Sequence, residues 1–221
     1  MATSNLKSQL PILIALGSIW GLMETGMGAY LKGVCAYMTT GSIMTAVALG
    51  FFATSFAYSR KIWSLAFVFI IAALFKSIDA YLLHIPIMSG AIANPIFGFF
   101  TEGLAFLFIF AILSGSLKSK RYGQSIWGGT AALVAINLFP LVKFATGIPA
   151  CVYPNTQYPT ALYFAPIAIG LSLLTCPIGI IVGEKLSALE TKTAPQFIHF
   201  PANSAAVLSL LALITMRLVV K

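Results

Sequence analysis

The sequence contains very little charge, and most of what it has is basic. Only 8% of its 221 residues are charged, and Asp and Glu together number 5. Soluble domains carry roughly 25% charged residues, so this composition excludes a soluble globular protein. The 13 Lys and Arg residues give a net charge of +8. They form no basic stripe with interleaved aromatic residues, and we expect no nucleic-acid partner.

Residues that build catalytic and metal sites are also scarce. The 2 histidines, His84 and His199, are isolated from each other. The chain has no paired CxxC, no phosphate-binding glycine loop and no serine nucleophile elbow. We therefore predict no metal site, no cofactor and no enzymatic activity. An intramembrane enzyme acting on a lipid, with Glu24 or Glu102 as its catalytic group, stays open as an alternative.

Apolar residues, in contrast, are abundant. They make up 59% of the chain and raise its mean hydropathy to +0.96. A membrane crossing needs about 20 mostly apolar residues, and six runs satisfy this requirement. They cover residues 11–30, 41–58, 62–83, 92–117, 125–145 and 161–182. The sequence therefore predicts an all-α, polytopic integral membrane bundle of six transmembrane helices.

A shorter apolar run follows at residues 205–220. Its length fits either a seventh crossing or a helix that lies along the membrane surface. We accordingly divide the chain into a six-helix bundle at residues 1–192 and a C-terminal apolar helix within residues 193–221.

The segments between the predicted crossings alternate in charge. One side holds Lys7, Arg60, Lys61, Lys118, Lys120, Arg121, Lys185 and Lys192. The other side holds little besides Lys32 and His84. Because cytoplasmic loops collect Lys and Arg, we predict a multi-pass protein of the cell (inner or plasma) membrane with a cytoplasmic N-terminus. A seventh crossing would place Arg217 outside, which argues mildly against that crossing.

Five ionisable residues interrupt four of the six apolar runs, the first, third, fourth and fifth. They are Glu24, Lys76, Asp79, Glu102 and Lys143. An ionisable side chain inside a membrane costs about 2.5 to 3.5 kcal/mol on insertion scales, which makes each one a candidate functional residue. All five fall in the predicted outer half, and Asn94 and Asn137 lie at or near the same level. The pattern predicts a polar pocket that opens to the outside. Structural pairing of Lys76 with Asp79, and of Glu102 with Lys143, is the alternative.

Three further features bear on this pocket. Gly17 and Gly21 form a small-xxx-small pattern on the helix face of Glu24, which predicts close helix packing. Cys35 and Cys151 fall in predicted outer loops, where a disulfide between them would close the pocket rim. Aromatic residues of the longest outer loop, such as Tyr153 and Tyr158, would cover a bound solute.

Several short motifs resemble a known transporter family. They are Trp20-Gly21-Leu22-Met23-Glu24 with Gly28, the basic pair Arg60-Lys61, Lys76 after an Ala-rich helix, and Pro86-Ile87-Met88 followed by Thr101-Glu102-Gly103-Leu104. Over residues 12 to 115 the chain resembles the substrate-capture (S) components of energy-coupling factor (ECF) transporters. This resemblance implies a subunit that binds a micronutrient near its outer face and docks on a transmembrane coupling subunit driven by ATPases. It also implies that Gly17 and Gly21 face that coupling subunit, although the same face carries Glu24.

The sequence thus favours a solute-binding subunit that captures a small polar or zwitterionic molecule for energy-coupled uptake. Its expected partners are the solute, the lipid bilayer and the coupling complex. In this interpretation Glu24, Asp79 and Glu102 contact cationic or donor groups, Lys76 and Lys143 contact anionic groups, and Asn94 belongs to the same site. A stand-alone secondary transporter, a lipid-modifying enzyme and a structural subunit of a membrane complex are the alternatives.

Overall fold

The computed structural model describes residues 6–33, 37–113, 115–147, 164–192 and 195–219. Within these ranges the chain is helical, which confirms the predicted all-α bundle. The helices are α1 (Leu6–Gly33), α2 (Tyr37–Ser59), α3 (Trp63–Leu82), α4 (Gly90–Ile112), α5 (Gly115–Lys118), α6 (Arg121–Leu138), α7 (Val142–Thr146), α8 (Ala165–Lys192) and α9 (Pro195–Val219). A 3₁₀ turn, Phe139–Leu141, joins α6 to α7.

Seven helices of the described chain are long and apolar enough to cross a membrane. Six of them correspond to the six predicted crossings, and the seventh is α9. The fifth crossing differs from its prediction because Pro140 lacks a backbone N–H and lies in the 3₁₀ turn, so that the regular helix ends at Leu138. The protein is therefore a multi-pass helical membrane bundle.

Small residues allow the helices to approach closely. A methyl group added at Gly17 would lie 2.6 Å from Cβ of Ile71 on α3, and one at Gly21 would lie 2.5 Å from Cβ of Phe75. On the other side of the bundle, Gly179 of α8 abuts the backbone of α2 at Gly50. Without a hydrophobic driving force between helices in lipid, such contacts supply much of the packing attraction.

Charged residues tie the helices together at one end of the bundle. Glu184 of α8 pairs with Arg60 at 3.2 Å and with Arg121 at 3.6 Å. Nearby, the hydroxyl of Tyr58 donates a hydrogen bond to Oε2 of Glu190 at 2.7 Å. We call this the basic end, because the exposed residues Arg60, Lys61, Lys120, Arg121, Lys185 and Lys192 belong to it. The other end is called the opposite end.

The C-terminal stretch forms a helix of the bundle. It extends over Pro195–Val219, well beyond the apolar run at 205–220, and packs along α1 and also touches α3. Near the basic end, Ile198 and Ala202 pack against the core, and near the opposite end Met216 approaches Gly26. Of the two alternatives that the sequence left open, this packing favours a seventh crossing over a surface-lying helix.

Candidate functional site

The buried charged residues lie between the middle of the bundle and the opposite end. Among the described residues, the charged side chains classed as buried are Glu24, Lys76, Asp79, Glu102 and Arg217. Four of these were predicted from the sequence. The fifth, Arg217, lies on α9, the seventh crossing, and the sequence analysis did not predict it as a site residue. Applying the rule for intramembrane ionisable residues to the run at 205–220 would have found it.

Arg217 and Asp79 form a bidentate ion pair. Nε of Arg217 lies 2.5 Å from Oδ1 of Asp79, and Nη2 lies 3.0 Å from Oδ2. The guanidinium also donates a hydrogen bond to the backbone carbonyl of Thr25 on α1. Lys76, one turn before Asp79, has its Nζ at 3.9 Å from Oδ2. Asp79 therefore has its charge balanced within the chain, which favours a structural role for it over a direct contact with solute.

Glu24 and Glu102 form a second group, contributed by α1 and α4. Each side chain is 6% exposed, and the two carboxylates are close enough to interact electrostatically. Thr45 of α2 donates a side-chain hydrogen bond to Glu102. Since side chains on a helix tilt toward its N-terminus, and α1 and α4 run in opposite directions, the two carboxylates lean toward each other.

An aromatic cluster lies beside these carboxylates. Trp20 is one turn before Glu24, and its ring centroid lies 4.6 Å from that of Phe99 and 5.1 Å from that of Phe52. The indole is fully buried, and its Nε1 has no hydrogen-bond acceptor among the described residues. A buried Trp N–H usually finds such a partner, so this donor is available to a ligand.

Unpartnered polar atoms follow α4 from its start at the opposite end to its middle. They are Oγ of Ser89, Oδ1 of Asn94 and Oε2 of Glu102, all buried and without a hydrogen-bond partner in the described part of the chain. Asn94 and Glu102 are eight residues apart, which corresponds to about 12 Å along a helix. Native proteins pair more than about 90% of such buried groups. This series therefore marks a place where a ligand or water completes the hydrogen bonding.

Lys143 does not join the other site residues. Its side chain on α7 is exposed, whereas Glu102 is buried, and no ion pair connects these two described residues. Asn137 is exposed as well and donates a hydrogen bond to the carbonyl of Leu133 in its own helix. The break at Pro140 ends α6 and starts a new segment. The predicted Glu102–Lys143 pairing is therefore wrong, and the position of Lys143 argues against a contact with a buried solute.

Gly17 and Gly21 lie inside the bundle. Their missing side chains make room for Ile71 and Phe75 of α3, so the surface that the resemblance assigns to a partner is occupied by the chain itself. The structure corrects the docking expectation in this respect. The close packing that the small-xxx-small pattern predicted is present.

Two cavities in the described chain are apolar and lie toward the surface. One, of about 380 Å³, includes Phe69, Met88 and Phe100 in its lining. The other, of about 270 Å³, lies between α2, α3 and α4 and includes Phe52, Phe99 and Gly103. Neither cavity is lined by the buried charged residues.

Some predicted features lie outside the described residues. These are Cys35, Cys151, Tyr153 and Tyr158, so the disulfide and the aromatic cover of the pocket stay predictions. Within the described ranges, no group of three or more His, Cys, Asp or Glu residues is arranged to hold a metal ion.

Comparisons with models of known protein families, with curated proteins and with solved structures give no match for this chain. The resemblance to ECF S components thus stays a prediction, and the structure shows a multi-pass helical membrane bundle with a cluster of buried charged residues between its helices.

Proposed function

We propose that the protein is a membrane-embedded solute-binding subunit that captures a small, micronutrient-like molecule from the outer face for energy-coupled uptake. The observation that carries this proposal is the series of unpartnered polar atoms on α4, from Ser89 through Asn94 to Glu102. Arg217 and Asp79, in contrast, satisfy each other's hydrogen bonds. The energy-coupling partner, an ATPase-driven transmembrane subunit, is taken from the resemblance to S components.

The charge distribution supports the orientation that this function needs. In the described chain, the exposed cationic residues are concentrated at the basic end, and positively charged segments stay on the cytoplasmic side. The basic end then faces the cytoplasm, and the start of α4 faces outward. With seven crossings and a cytoplasmic N-terminus, the last residues of α9 lie on the outer side, together with Asp79, the partner of Arg217.

Site-directed labelling tests this orientation. In a variant whose native cysteines are replaced by serine, we expect Lys120→Cys to react with a membrane-impermeant maleimide only after the cytoplasmic face is opened. The matched variant His84→Cys should react in intact cells, because His84 is exposed at the opposite end. Labelling of Lys120→Cys in intact cells together with protection of His84→Cys would reverse the topology.

Native mass spectrometry of gently extracted protein tests solute binding. We expect a co-purifying small molecule in the wild type and at least a tenfold lower occupancy in Glu102→Gln and in Asn94→Leu. Asn94→Leu removes the unpartnered acceptor Oδ1, and Glu102→Gln removes the negative charge of the carboxylate whose Oε2 is unpartnered. Partner subunits that remain attached would identify the coupling complex in the same experiment.

Glu184→Gln is the matched control for this measurement. It also removes one carboxylate, but at the basic end, where the side chain pairs with Arg60 and Arg121. Its solute occupancy should equal that of the wild type. An empty wild-type protein, or equal occupancy in Glu102→Gln, Asn94→Leu and Glu184→Gln, contradicts the proposal and favours a structural role for the buried charges.

A further inference from the structure

Among the described residues, the buried charges of the site are not balanced. Three carboxylates, from Glu24, Asp79 and Glu102, face two cationic side chains, from Lys76 and Arg217. With all five groups ionised, the site carries one formal negative charge. An uncompensated charge away from water is expensive, and proteins compensate it with a counter-ion, a ligand or a proton.

The guanidinium of Arg217 is already committed elsewhere. Its Nε and Nη2 donate hydrogen bonds to the carboxylate of Asp79, and Nη2 also donates one to the carbonyl of Thr25. The charge of Arg217 is therefore balanced by that of Asp79. Two carboxylates, Glu24 and Glu102, then remain against the single positive charge of Lys76, so the excess negative charge falls on this pair.

Glu102 has a carboxylate oxygen that can accept a further hydrogen bond. Its carboxylate accepts a hydrogen bond from Thr45, while Oε2 is buried without a hydrogen-bond partner among the described residues. An ionised carboxylate accepts only, so the missing partner is a donor. A positively charged group at Glu102 is also favoured by Glu24, because the two carboxylates interact electrostatically.

The neighbouring aromatic ring fits a cationic group as well. Trp20 lies one turn before Glu24, and its ring packs against Phe51, Phe52 and Phe99, the last of which lies one turn before Glu102. The face of an indole attracts ammonium groups when water is excluded. A ligand group that carries one positive charge and N–H donors satisfies the carboxylate, the charge balance and the ring together.

We propose that the captured solute is recognised through a protonated amine, which binds at Glu102 beside Trp20, while Glu24 supplies additional negative potential. This inference rests on the proposed function, because it names the chemical group by which the solute is held. Asn94, about 12 Å nearer the opposite end along α4, then receives a donor from a different part of the same molecule.

The first test uses methylammonium as the minimal probe, with thermal unfolding in detergent as the readout. Binding to the folded state alone stabilises it by an amount that grows with the logarithm of the ligand concentration above Kd, so the concentration dependence of Tm gives Kd. At a concentration well above Kd we expect a rise of about 2 °C or more. Tetramethylammonium, which carries the charge without N–H donors, and sodium, at equal ionic strength, should produce less than half of this rise. Equal stabilisation by sodium or tetramethylammonium would overturn the proposal, as would no stabilisation by methylammonium.

Two variants make this result specific to the site. Glu102→Gln should abolish the methylammonium shift, whereas Glu184→Gln should retain it. If Glu102→Gln is not recovered as folded protein, Trp20→Phe replaces it and should raise the half-saturating concentration at least threefold. If Glu102→Gln keeps the full shift, the carboxylate holds a proton and the proposal fails.

The chemical identity of the co-purified solute separates this inference from the proposed function. An amine-containing molecule whose occupancy depends on Glu102 supports both. A neutral or anionic molecule with the same dependence supports solute capture and overturns the amine. Protein that is empty in native mass spectrometry, and that methylammonium does not stabilise, contradicts both.

Discussion

Replacing Arg217 by Met is expected to lower the free energy of unfolding by about 3 kcal/mol or more, because it leaves the buried Asp79 without its bidentate partner. Both side chains are withdrawn from solvent, at 9% and 2% exposure, and Lys76 at 3.9 Å is too distant to replace two direct hydrogen bonds. The same change frees the carbonyl of Thr25. The loss should be visible in reversible unfolding by SDS in mixed micelles.

A double-mutant cycle separates the ion pair from general damage to α9. Because Asp79→Asn removes the charge that Arg217 balances, the double variant should be more stable than the sum of the single effects predicts, by about 2 kcal/mol. Arg60→Met is the matched control, since its pair with Glu184 is exposed and should contribute about 1 kcal/mol or less. An effect of Arg217→Met no larger than that of Arg60→Met would show that the seventh helix is not anchored in this way.

Gly183→Ala should destabilise the bundle by about 2 kcal/mol through overpacking between α8 and α2. The added methyl group would lie 2.8 Å from Cβ of Ala57 and 2.9 Å from the backbone nitrogen of Tyr58, and it would also meet the carbonyl of Thr54. Backbone atoms cannot rotate out of the way, so the helices must separate. The same SDS unfolding experiment measures the loss.

Gly170 provides the matched control on the same helix. A methyl group there meets no atom within 4 Å, so Gly170→Ala should be neutral or stabilising by up to about 1 kcal/mol through helix propensity. Equal effects at the two positions would mean that α8 does not pack on α2 through this face. Neither substitution touches Glu24 or Glu102, and solute occupancy should follow only the fraction of folded protein.

The sequence identified most residues of the polar site, but it did not identify which of them form pairs. Glu24, Lys76, Asp79, Asn94 and Glu102 were identified because an ionisable or strongly polar residue inside an apolar run is costly and therefore rare, and all five are buried. Lys143 met the same criterion and is nevertheless exposed. A one-dimensional pattern gives depth along a helix, but it does not give the direction in which a side chain points after a break such as Pro140.

The sequence does not show which charged residues form ion pairs. Asp79 and Arg217 are 138 positions apart, and only the packing of α9 along α1 brings them together. For the same reason Gly17 and Gly21 looked equally suited to an internal and an external neighbour. A small-residue face requires a close partner helix, but nothing in the pattern says whether that helix belongs to the same chain.

By itself, the sequence determined that this protein is a multi-pass helical membrane bundle with ionisable residues buried among its helices, because the cost of burying charge and backbone in lipid acts on every segment separately. The tertiary structure decided which of those residues meet. It joined the seventh helix to the bundle through Arg217 and Asp79, and it left Glu102 with an unused acceptor. Such choices depend on contacts between distant segments, which local hydropathy does not encode.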